Sequence, residues 1–240
     1  MQNLKTLSEG KHCQLFILPG NYRGGAHTEI YHQTYLCWKE VWEAVYQQEM
    51  KVNHQFYADD FLRQDQVISL FNRGQCVGMA FVRMINLSLM PVSQDSFFRF
   101  WPKAETDKVL SLTPDIFIAS YFTVHPAFRK NEDLCWKTLL LSLFLDNFMR
   151  SDSQVMITAA RKVRSNEKLC FKLGAKPLSL NVPYLLDGQK INNEIADLIY
   201  WDKTPIILED QSLNSLRKTL WNKRIEIDQQ IITQEVKDAA

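Results

Sequence analysis

A cluster of basic side chains lies between Arg161 and Lys176. Six residues of this span are Lys or Arg, and Glu167 is its single acid, so the local balance is 6 − 1 = +5. Such a stretch favours a ligand that carries phosphate, because lysine and arginine form charge-assisted hydrogen bonds with phosphate oxygens. A solvated helix face would have the same composition. Both interpretations stay open at this point.

The spacing of cysteine and histidine argues against the common metal and redox motifs. No two of the 5 cysteines form a Cys-x-x-Cys pair, and the 5 histidines contain no His-x-x-x-His pair. A structural zinc site is therefore not expected. An odd number of scattered cysteines is typical of reduced thiols in a cytosolic protein.

The composition is that of a globular protein. The chain has 240 residues, of which 46% are hydrophobic and 23% are charged, and its net charge is +1. Without a general basic excess, we expect no specific nucleic-acid partner. The longest apolar run, near Leu139–Leu145, is far shorter than the roughly 20 residues of a membrane span, and the first ten residues contain no signal-peptide core. The cytoplasm is the default expectation.

The first half of the chain predicts a strand, a helix and a hairpin. Cys13–Leu18 is a short apolar run, and apolar residues then recur at helical spacing from about His27 to Met50. We interpret the aromatic stripe of this helix as core. Val67–Phe71 and Cys76–Val82 read as the two strands of a hairpin, joined at Arg73-Gly74. The aromatic segment at 97–101 is expected to pack as a short helix or to line an acyl or acceptor pocket.

The second half alternates strands and helices. Ile116–Val124 predicts a buried strand, 133–149 a helix, 155–159 a strand, and 165–173 a short helix capped by Gly174. A hairpin is expected over 175–200. From Ser212 an apolar stripe continues to Ile231 and predicts a helix of about 25 residues. The order indicates a single α/β domain over 1–210 and a helical extension over 211–240, packed on its own chain or in a homodimer.

Two stretches resemble the GNAT superfamily of N-acyltransferases that depend on coenzyme A. The first is Val124-His125-Pro126-Ala127-Phe128-Arg129, which is similar to the strand end and loop at which this family holds a pyrophosphate. The second is the run from Asn166 to Ala175, which looks like the family's short helix ending in aromatic-x-Lys-Leu-Gly. The likeness extends over roughly residues 27–180, although only these stretches carry specific motifs.

The resemblance implies the fold and the reaction. The fold would be a mixed, mostly antiparallel sheet flanked by helices, here followed by a C-terminal amphipathic helix. The reaction would be direct attack of an amine on a thioester. The donor would be acyl-CoA or acetyl-CoA, and the acceptor a small-molecule or peptide amine. Backbone amides at a helix start, together with the helix dipole, favour the phosphates of such a donor.

The resemblance also assigns site residues. Ser120 on the buried strand and Cys170 are the catalytic candidates, with Cys170 at the position where many family members place a proton-donating Tyr. Cys170 as a small buried core residue is the alternative. His125 is interpreted as a loop residue without a catalytic part, and the base is left open among His54, Asp59, Asp60 or none. The donor-binding candidates are Phe122, Val124, Arg129, Lys130, Asn131 and Asn166.

The loop departs from the family pattern in one respect. Arg129 is followed by Lys130-Asn131-Glu132-Asp133, without the glycines that let a backbone approach phosphate closely. An acyl carrier protein, whose phosphopantetheine would dock at the basic cluster, is therefore an alternative donor. A non-catalytic GNAT-fold module that binds a ligand or a protein is the alternative function.

Overall fold

The computed structural model describes residues 12–51, 55–129, 134–162, 165–186 and 189–227. Seven helices are described within these ranges. They are α1 (Thr28–Ala44), α2 (Asp59–Leu62), α3 (Met90–Ser93), α4 (Lys103–Leu112), α5 (Trp136–Arg150), α6 (Asn166–Lys172) and α7 (Gln211–Asn222). Helix α1 continues into a π-helical segment, Val45–Met50. In the described ranges, no helix is long and apolar enough to cross a membrane.

Eight strands form one mixed sheet in the order β6-β7-β5-β4-β3-β2-β1-β8. They are β1 (Cys13–Leu18), β2 (Gln66–Asn72), β3 (Gln75–Asn86), β4 (Asp115–Val124), β5 (Val155–Arg161), β6 (Lys176–Leu186), β7 (Gln189–Trp201) and β8 (Ile225–Glu226). Only the β4–β5 and β1–β8 pairs are parallel among those described. The predicted mixed, mostly antiparallel sheet is confirmed.

Local signals of the sequence account for several boundaries. Arg73 and Gly74 have φ of 50° and 77° at the β2–β3 turn, as a two-residue hairpin with positive φ requires. Gly174 has φ of 90° just after α6, where the sequence predicts a helix cap. The short helix expected near 97–101 is present as a turn of 3-10 helix over Ser96–Phe98, and Phe98 and Trp101 are buried.

Three apolar clusters cover the sheet. One lies between the sheet and helices α5, α6 and α7, a second under α1, and a third beneath the 86–115 insertion. Helix α1 contributes Trp38 to the second cluster, with no exposed surface, which confirms the core role of this part of its aromatic stripe. Helix α5 therefore covers one face of the sheet, called here the α5 face, and helix α1 covers the opposite face, called the α1 face.

The C-terminal segment differs from its prediction. Helix α7 ends at Asn222, and Ile225–Glu226 then pair with Phe16–Ile17 of β1 as an edge strand. The expected helix of about 25 residues is therefore wrong in length, because the continuing apolar stripe serves a strand and its contacts with the sheet. Residues 228–240, including the rest of that stripe, lie outside the described residues. Helix α7 packs on its own chain, against α5 and β1.

Candidate active site

The central feature of the site is a gap between two parallel strands. In the described chain, β4 and β5 pair over three positions, which end at Ile118 and Ile157. At the point of divergence, the hydroxyl of Thr158 donates a hydrogen bond of 2.7 Å to the carbonyl of Ala119. A cavity of about 630 Å³ lies at this gap and is lined from both faces of the sheet.

A β-bulge in β4 forms one wall of the gap. Ser120 pairs with Phe81 and Thr123 pairs with Met79, so Tyr121 and Phe122 together lie opposite a single residue of β3. Tyr121 has φ of 51°, a left-handed conformation that non-glycine residues seldom adopt. A bulge takes backbone groups out of the ladder and re-aims them. Backbone groups of β4 are thus available at the cavity wall.

Close approach of β3 supports the bulge. Gly78 pairs with Val124, and a Cβ atom at Gly78 would lie 2.2 Å from the carbonyl oxygen of Thr123. Every other residue would force the two strands apart at this point. The glycine in the returning strand therefore sets the position of the C-terminal end of β4.

Helix α1 holds the bulge from the opposite side. The indole Nε1 of Trp42 donates to Thr123 Oγ1 at 2.8 Å, and that hydroxyl donates to the carbonyl of Tyr121 at 2.6 Å. The rings of Trp42 and Tyr121 meet edge to face with centroids 4.9 Å apart. These contacts stabilise a backbone conformation that costs free energy of order 1–3 kcal/mol.

The α5 face of the cavity is mostly apolar. Its walls come from the start of α5, from β5 and from α6, and the buried apolar residues among them belong to the largest core cluster. The residues that line this face include Leu134, Trp136, Leu141, Phe144, Met156, Ala160, Leu169, Cys170 and Trp201.

The α1 face of the cavity is aromatic and ionic. Arg161 is 9% exposed, and its Nε donates to Glu194 Oε2 at 3.1 Å. Its Nη2 lies 3.6 Å from Glu49 Oε2. The hydroxyls of Tyr46 and Tyr184 share a hydrogen bond, and burial raises the pKa of both phenols. Both tyrosines therefore stay neutral at ordinary pH.

The structure brings most of the predicted site residues to this one cavity. Ser120, Phe122, Val124, Arg129, Asn166 and Cys170 all line it. Lys130 and Asn131 lie outside the described residues. Arg129 donates from Nε to the carbonyl of Val124 at 2.8 Å, so its side chain folds back on the end of β4.

Cys170 is a buried thiol in the wall formed by α6. It is 8% exposed, and burial raises the pKa of this thiol to about 12, with Glu167 adding to the rise and Lys137 opposing it. The group is therefore protonated at neutral pH. It is a weaker acid than an ordinary cysteine, whose pKa is about 8.5.

The candidate bases differ in their placement. Asp60 lines the cavity, where it pairs with Arg63 at 2.7 Å and accepts a hydrogen bond of 3.4 Å from the hydroxyl of Tyr121. His54 lies outside the described residues. His125 Nδ1 accepts from the backbone N–H of Ala127, so this histidine caps its own turn, as the sequence indicates.

The basic cluster of the sequence does not form one free patch. Arg161 pairs with Glu194, Lys162 lies 3.3 Å from Asp197, and Lys172 lies 3.0 Å from Glu209. Lys176 pairs with Asp202. These acids come from β7 and the chain that follows it, which sequence proximity could not reveal. Arg164 lies outside the described residues.

Residues of the α1 face were not anticipated from the sequence as site residues. They are Tyr46, Glu49, Arg161, Tyr184 and Glu194. Tyr46 continues the aromatic stripe of α1, which the sequence assigns to the core. Arg161 is part of the basic cluster, which the sequence assigns to phosphate binding or to a solvated helix face. Tyr184 and Glu194 lie on the β6–β7 hairpin and carried no signal.

Comparisons with known proteins show similarity in structure. A scan against protein-family models found no match, and a search of curated proteins found none. FeeM, an N-acyl amino acid synthase from uncultured soil microbes, is 11% identical, with 80% of this chain and 90% of that chain covered and a TM-score of 0.53. The AHL synthase LasI is 14% identical, with 83% and 99% covered and a TM-score of 0.55.

A third similar structure contains ligands. BjaI, a CoA-dependent acyl-homoserine lactone synthase solved with SAM and isopentyl-CoA, is 11% identical. The alignment covers 90% of this chain and 92% of that chain, with a TM-score of 0.56. At these identities the likeness concerns the fold. It confirms the fold that the two sequence motifs predict.

Proposed function

We propose that this chain, which has the fold of the GNAT acyltransferases, transfers an acyl group from a thioester donor to an amine. The amine nitrogen attacks the thioester carbonyl carbon, a C–N bond forms and the C–S bond breaks. The amine loses one proton and the departing thiolate gains one, so the products are an amide and a free thiol. The gap between β4 and β5, which opens onto a cavity lined from both faces, is the observation that carries this proposal.

The donor arm fits the gap in shape and chemistry. A phosphopantetheine arm is long, narrow and only weakly polar, and the α5 face offers a mostly apolar wall. The bulge at Tyr121–Phe122 presents backbone groups beside it. Amide N–H groups aimed at a thioester carbonyl stabilise the negative charge that develops there during attack. Similarity in fold to FeeM, an N-acyl amino acid synthase, and to BjaI, a CoA-dependent acyl-homoserine lactone synthase, supports the same class of reaction.

Acyl-CoA is the favoured donor of the two considered. A carrier protein is acidic and needs free positive charge near the entrance. The described side chains of the 161–176 cluster are largely paired with acids of this chain, which leaves less charge for such a partner. Arg129 and Asn166, at the α5 and α6 end of the cavity, are the proposed donor contacts.

Ser120 and Cys170 keep distinct proposed roles. Ser120 is positioned beside the bulge, where its hydroxyl can order a water molecule or the incoming amine. Cys170 is a candidate proton donor to the departing thiolate, although its raised pKa makes it a weak acid and favours the core role. None of the five cysteines, all of which lie in the described ranges, forms a disulfide, which is in keeping with the proposed cytoplasmic location.

A binding module without chemistry is the second candidate. The glycine-free loop after Arg129 and the weakly acidic Cys170 favour it. Free thiol release separates the two functions. The full chain is incubated with acetyl-, hexanoyl- and lauroyl-CoA, or with the matching acyl carrier proteins, and a mixture of primary amines. Amine-dependent thiol release supports the transferase, whereas stabilisation of the protein by a donor without any release supports the binding module.

A further inference from the structure

The gap divides the sheet into two halves that pair over a short distance. Strands β1 to β4 and β8 lie on one side, and β5 to β7 lie on the other. The described pairing of β4 with β5 ends at Ile118 and Ile157. From there β4 continues beside β3 to Val124, and β5 continues beside β7 to Arg161. The width of the gap at these ends therefore depends on contacts outside the strand ladder.

The π-helical end of α1 lies across this gap on the α1 face. Helix α1 itself contacts β3 and β4, in the first half of the sheet. Its continuation, Val45–Met50, contacts β7, in the second half. A π-helical segment is rare in proteins and is often found at a functional site. The helix and its continuation thus contact both halves of the sheet.

A hydrogen bond between two tyrosines is the first link across the gap. Tyr46, in the π-helical segment, is 2% exposed, and its hydroxyl shares a hydrogen bond with that of Tyr184 on β6. Tyr184 packs against the apolar cluster under α1, although β6 belongs to the other half of the sheet. Its ring centroid also lies 5.0 Å from that of Phe100, in the 86–115 insertion. Tyr184 is therefore held in place from two sides.

An ion pair is the second link across the gap. Arg161, the last residue of β5, is 9% exposed. Its Nη2 lies 3.6 Å from Oε2 of Glu49 in the π-helical segment, and its Nε donates to Oε2 of Glu194 on β7 at 3.1 Å. Solvent and salt screen buried charges much less than exposed ones. Arg161 therefore joins the end of α1 to two strands of the second half.

We infer that Tyr46, Glu49, Arg161 and Tyr184 form a strap that fixes the width of the β4–β5 gap. All four residues line the cavity on its α1 face. They are positioning residues, because they hold the end of β5 at a set distance from the bulge of β4 without touching the reacting atoms. The effect of the strap on catalysis rests on the proposed function, whereas its effect on the gap does not.

A set width matters for a donor arm that lies in the gap. The thioester carbonyl has to meet the backbone groups of Tyr121–Phe122 at hydrogen-bonding distance. A displacement of about 1 Å in such an arrangement can cost about 10²-fold in rate. The proposed phosphate contacts of Arg129 and Asn166 lie at the α5 and α6 end of the cavity, away from the strap. The strap is therefore expected to affect turnover more than donor affinity.

Two variants each remove one link of the strap. Tyr46→Phe removes the hydroxyl that bonds to Tyr184, and Glu49→Gln removes the charge that faces Arg161. The double variant removes both links. If Tyr46→Phe fails to fold, Tyr184→Phe removes the same hydrogen bond from the other half of the sheet.

Matched controls come from the same helix. Tyr31→Phe removes a hydroxyl that donates to the carbonyl of Gly20. Glu43→Gln removes the charge that lies 3.9 Å from Lys39. Neither of these contacts crosses the gap, so both controls should leave the gap and the turnover unchanged.

Hydrogen exchange, followed by mass spectrometry, reports on the gap without any substrate. Amides of β5, at 155–161, should exchange at least about threefold faster in each link variant than in its control, which corresponds to the loss of one net hydrogen bond. The double variant should exchange faster than either single variant. Amides of β2, at 66–72, should exchange at the same rate in all of them.

Turnover and donor affinity are then measured separately. Hexanoyl-CoA and a mixture of primary amines serve as substrates, and circular dichroism gives the folded fraction of each variant. We expect kcat per folded molecule to fall about tenfold or more in the link variants. The affinity for hexanoyl-CoA, measured by calorimetry, should stay nearly unchanged. A residue with a purely structural role would lower the folded fraction and leave kcat per folded molecule as it was.

The outcomes separate the strap from the proposed function. Faster exchange of β5 in the link variants, with no amide formed by the wild-type chain, would uphold the strap and defeat the transferase. Amide formation with an unchanged kcat in the double variant would uphold the transferase and overturn the positioning role. Unchanged exchange of β5 in the double variant would overturn the strap itself.

Discussion

Trp42 and Thr123 join helix α1 to the β4 bulge through a single hydrogen bond of 2.8 Å. Thr123 passes the contact on to the carbonyl of Tyr121, the residue with positive φ at the centre of the bulge. A helix on one face of the sheet thus fixes the backbone that would polarise a thioester. The contact is a positioning device, since neither side chain needs to touch the reacting atoms.

Replacing Thr123 with Val should lower kcat more than it raises KM for the donor. The change keeps the shape of the side chain and removes the hydroxyl that receives one hydrogen bond and donates another. We expect a loss of about tenfold in kcat and of about 1–3 kcal/mol in unfolding free energy. Thr219→Val, which removes an exposed hydroxyl on α7, is the control. Equal effects of the two variants on kcat would show that the relay has no part in positioning.

Replacing Arg129 with Ala should weaken donor binding and leave the melting temperature nearly unchanged. The residue lies on a loop at the cavity mouth, where a charge-assisted contact with a phosphate is worth roughly 1.5–3 kcal/mol. Its bond to the carbonyl of Val124 adds a small stabilising contribution. Calorimetry with acyl-CoA measures the change, and Arg23→Ala, exposed and away from the cavity, is the control. Undiminished affinity, or unfolding of the variant, counts against the assignment.

We predict that Cys170 contributes to the stability of the core and does not donate a proton to the departing thiolate. Cys170→Ser should lower stability and leave turnover per folded molecule unchanged, because a hydroxyl replaces a thiol in an apolar site. A rate loss of about tenfold or more would instead make Cys170 the proton donor. Cys170→Ala, which adds no buried hydroxyl, distinguishes the two effects.

The raised pKa of Cys170 also predicts a pH dependence. The folded thiol has a pKa of about 12, above that of the unfolded chain, so the folded state holds its proton more tightly. The stability from this group is complete below about pH 8.5 and is lost as pH rises towards 12. Denaturant melts between pH 8 and 11 should show this loss, reduced in Cys170→Ala. Equal slopes for the two proteins would contradict the assigned shift.

Removal of the segment after Asp210 should destabilise the domain. Leu213, Leu216 and Leu220 are buried at 4–5% exposure, and Arg217 binds Asp146 through two hydrogen bonds of 2.7 Å. A chain that ends at Asp210 should melt at a lower temperature or aggregate. A chain that ends at Ile227 is the control, since it retains α7 and β8. A soluble, equally stable chain ending at Asp210 would show that α7 is dispensable.

The sequence predicts most of the fold because its local signals agree with the tertiary structure. Some structural features depend only on residues that are close together in the sequence. They are the hairpin turn at Arg73-Gly74, the helix cap at Gly174 and the apolar stripe of α5. The C-terminal strand could not be predicted in this way, since Ile225–Glu226 owe their conformation to pairing with β1, some 200 residues earlier. The apolar residues after Asn222 keep a helical spacing in the sequence, although Ile225–Glu226 form a strand.

The site is predictable on one face of the sheet only. Val124–Arg129 and Asn166–Cys170 carry motifs that lie in single stretches, and both reach the cavity. The α1 face of the cavity combines residues of α1 and its π-helical continuation, β4, β5 and β6, and Glu194 of β7 pairs with its Arg161. The sequence shows Arg161 as part of a basic run, and only the folded chain shows that acids neutralise it.

The most direct test of acyl transfer at the β4–β5 gap is the ratio of amide to free thiol. Hexanoyl-CoA and a mixture of primary amines are incubated with the protein and with Ala159→Trp, which places an indole in the gap. Transfer at this gap predicts one amide for each thiol with the wild-type chain, and loss of both products with the folded variant. Thiol without amide, no product at all, or an unaffected variant would contradict it.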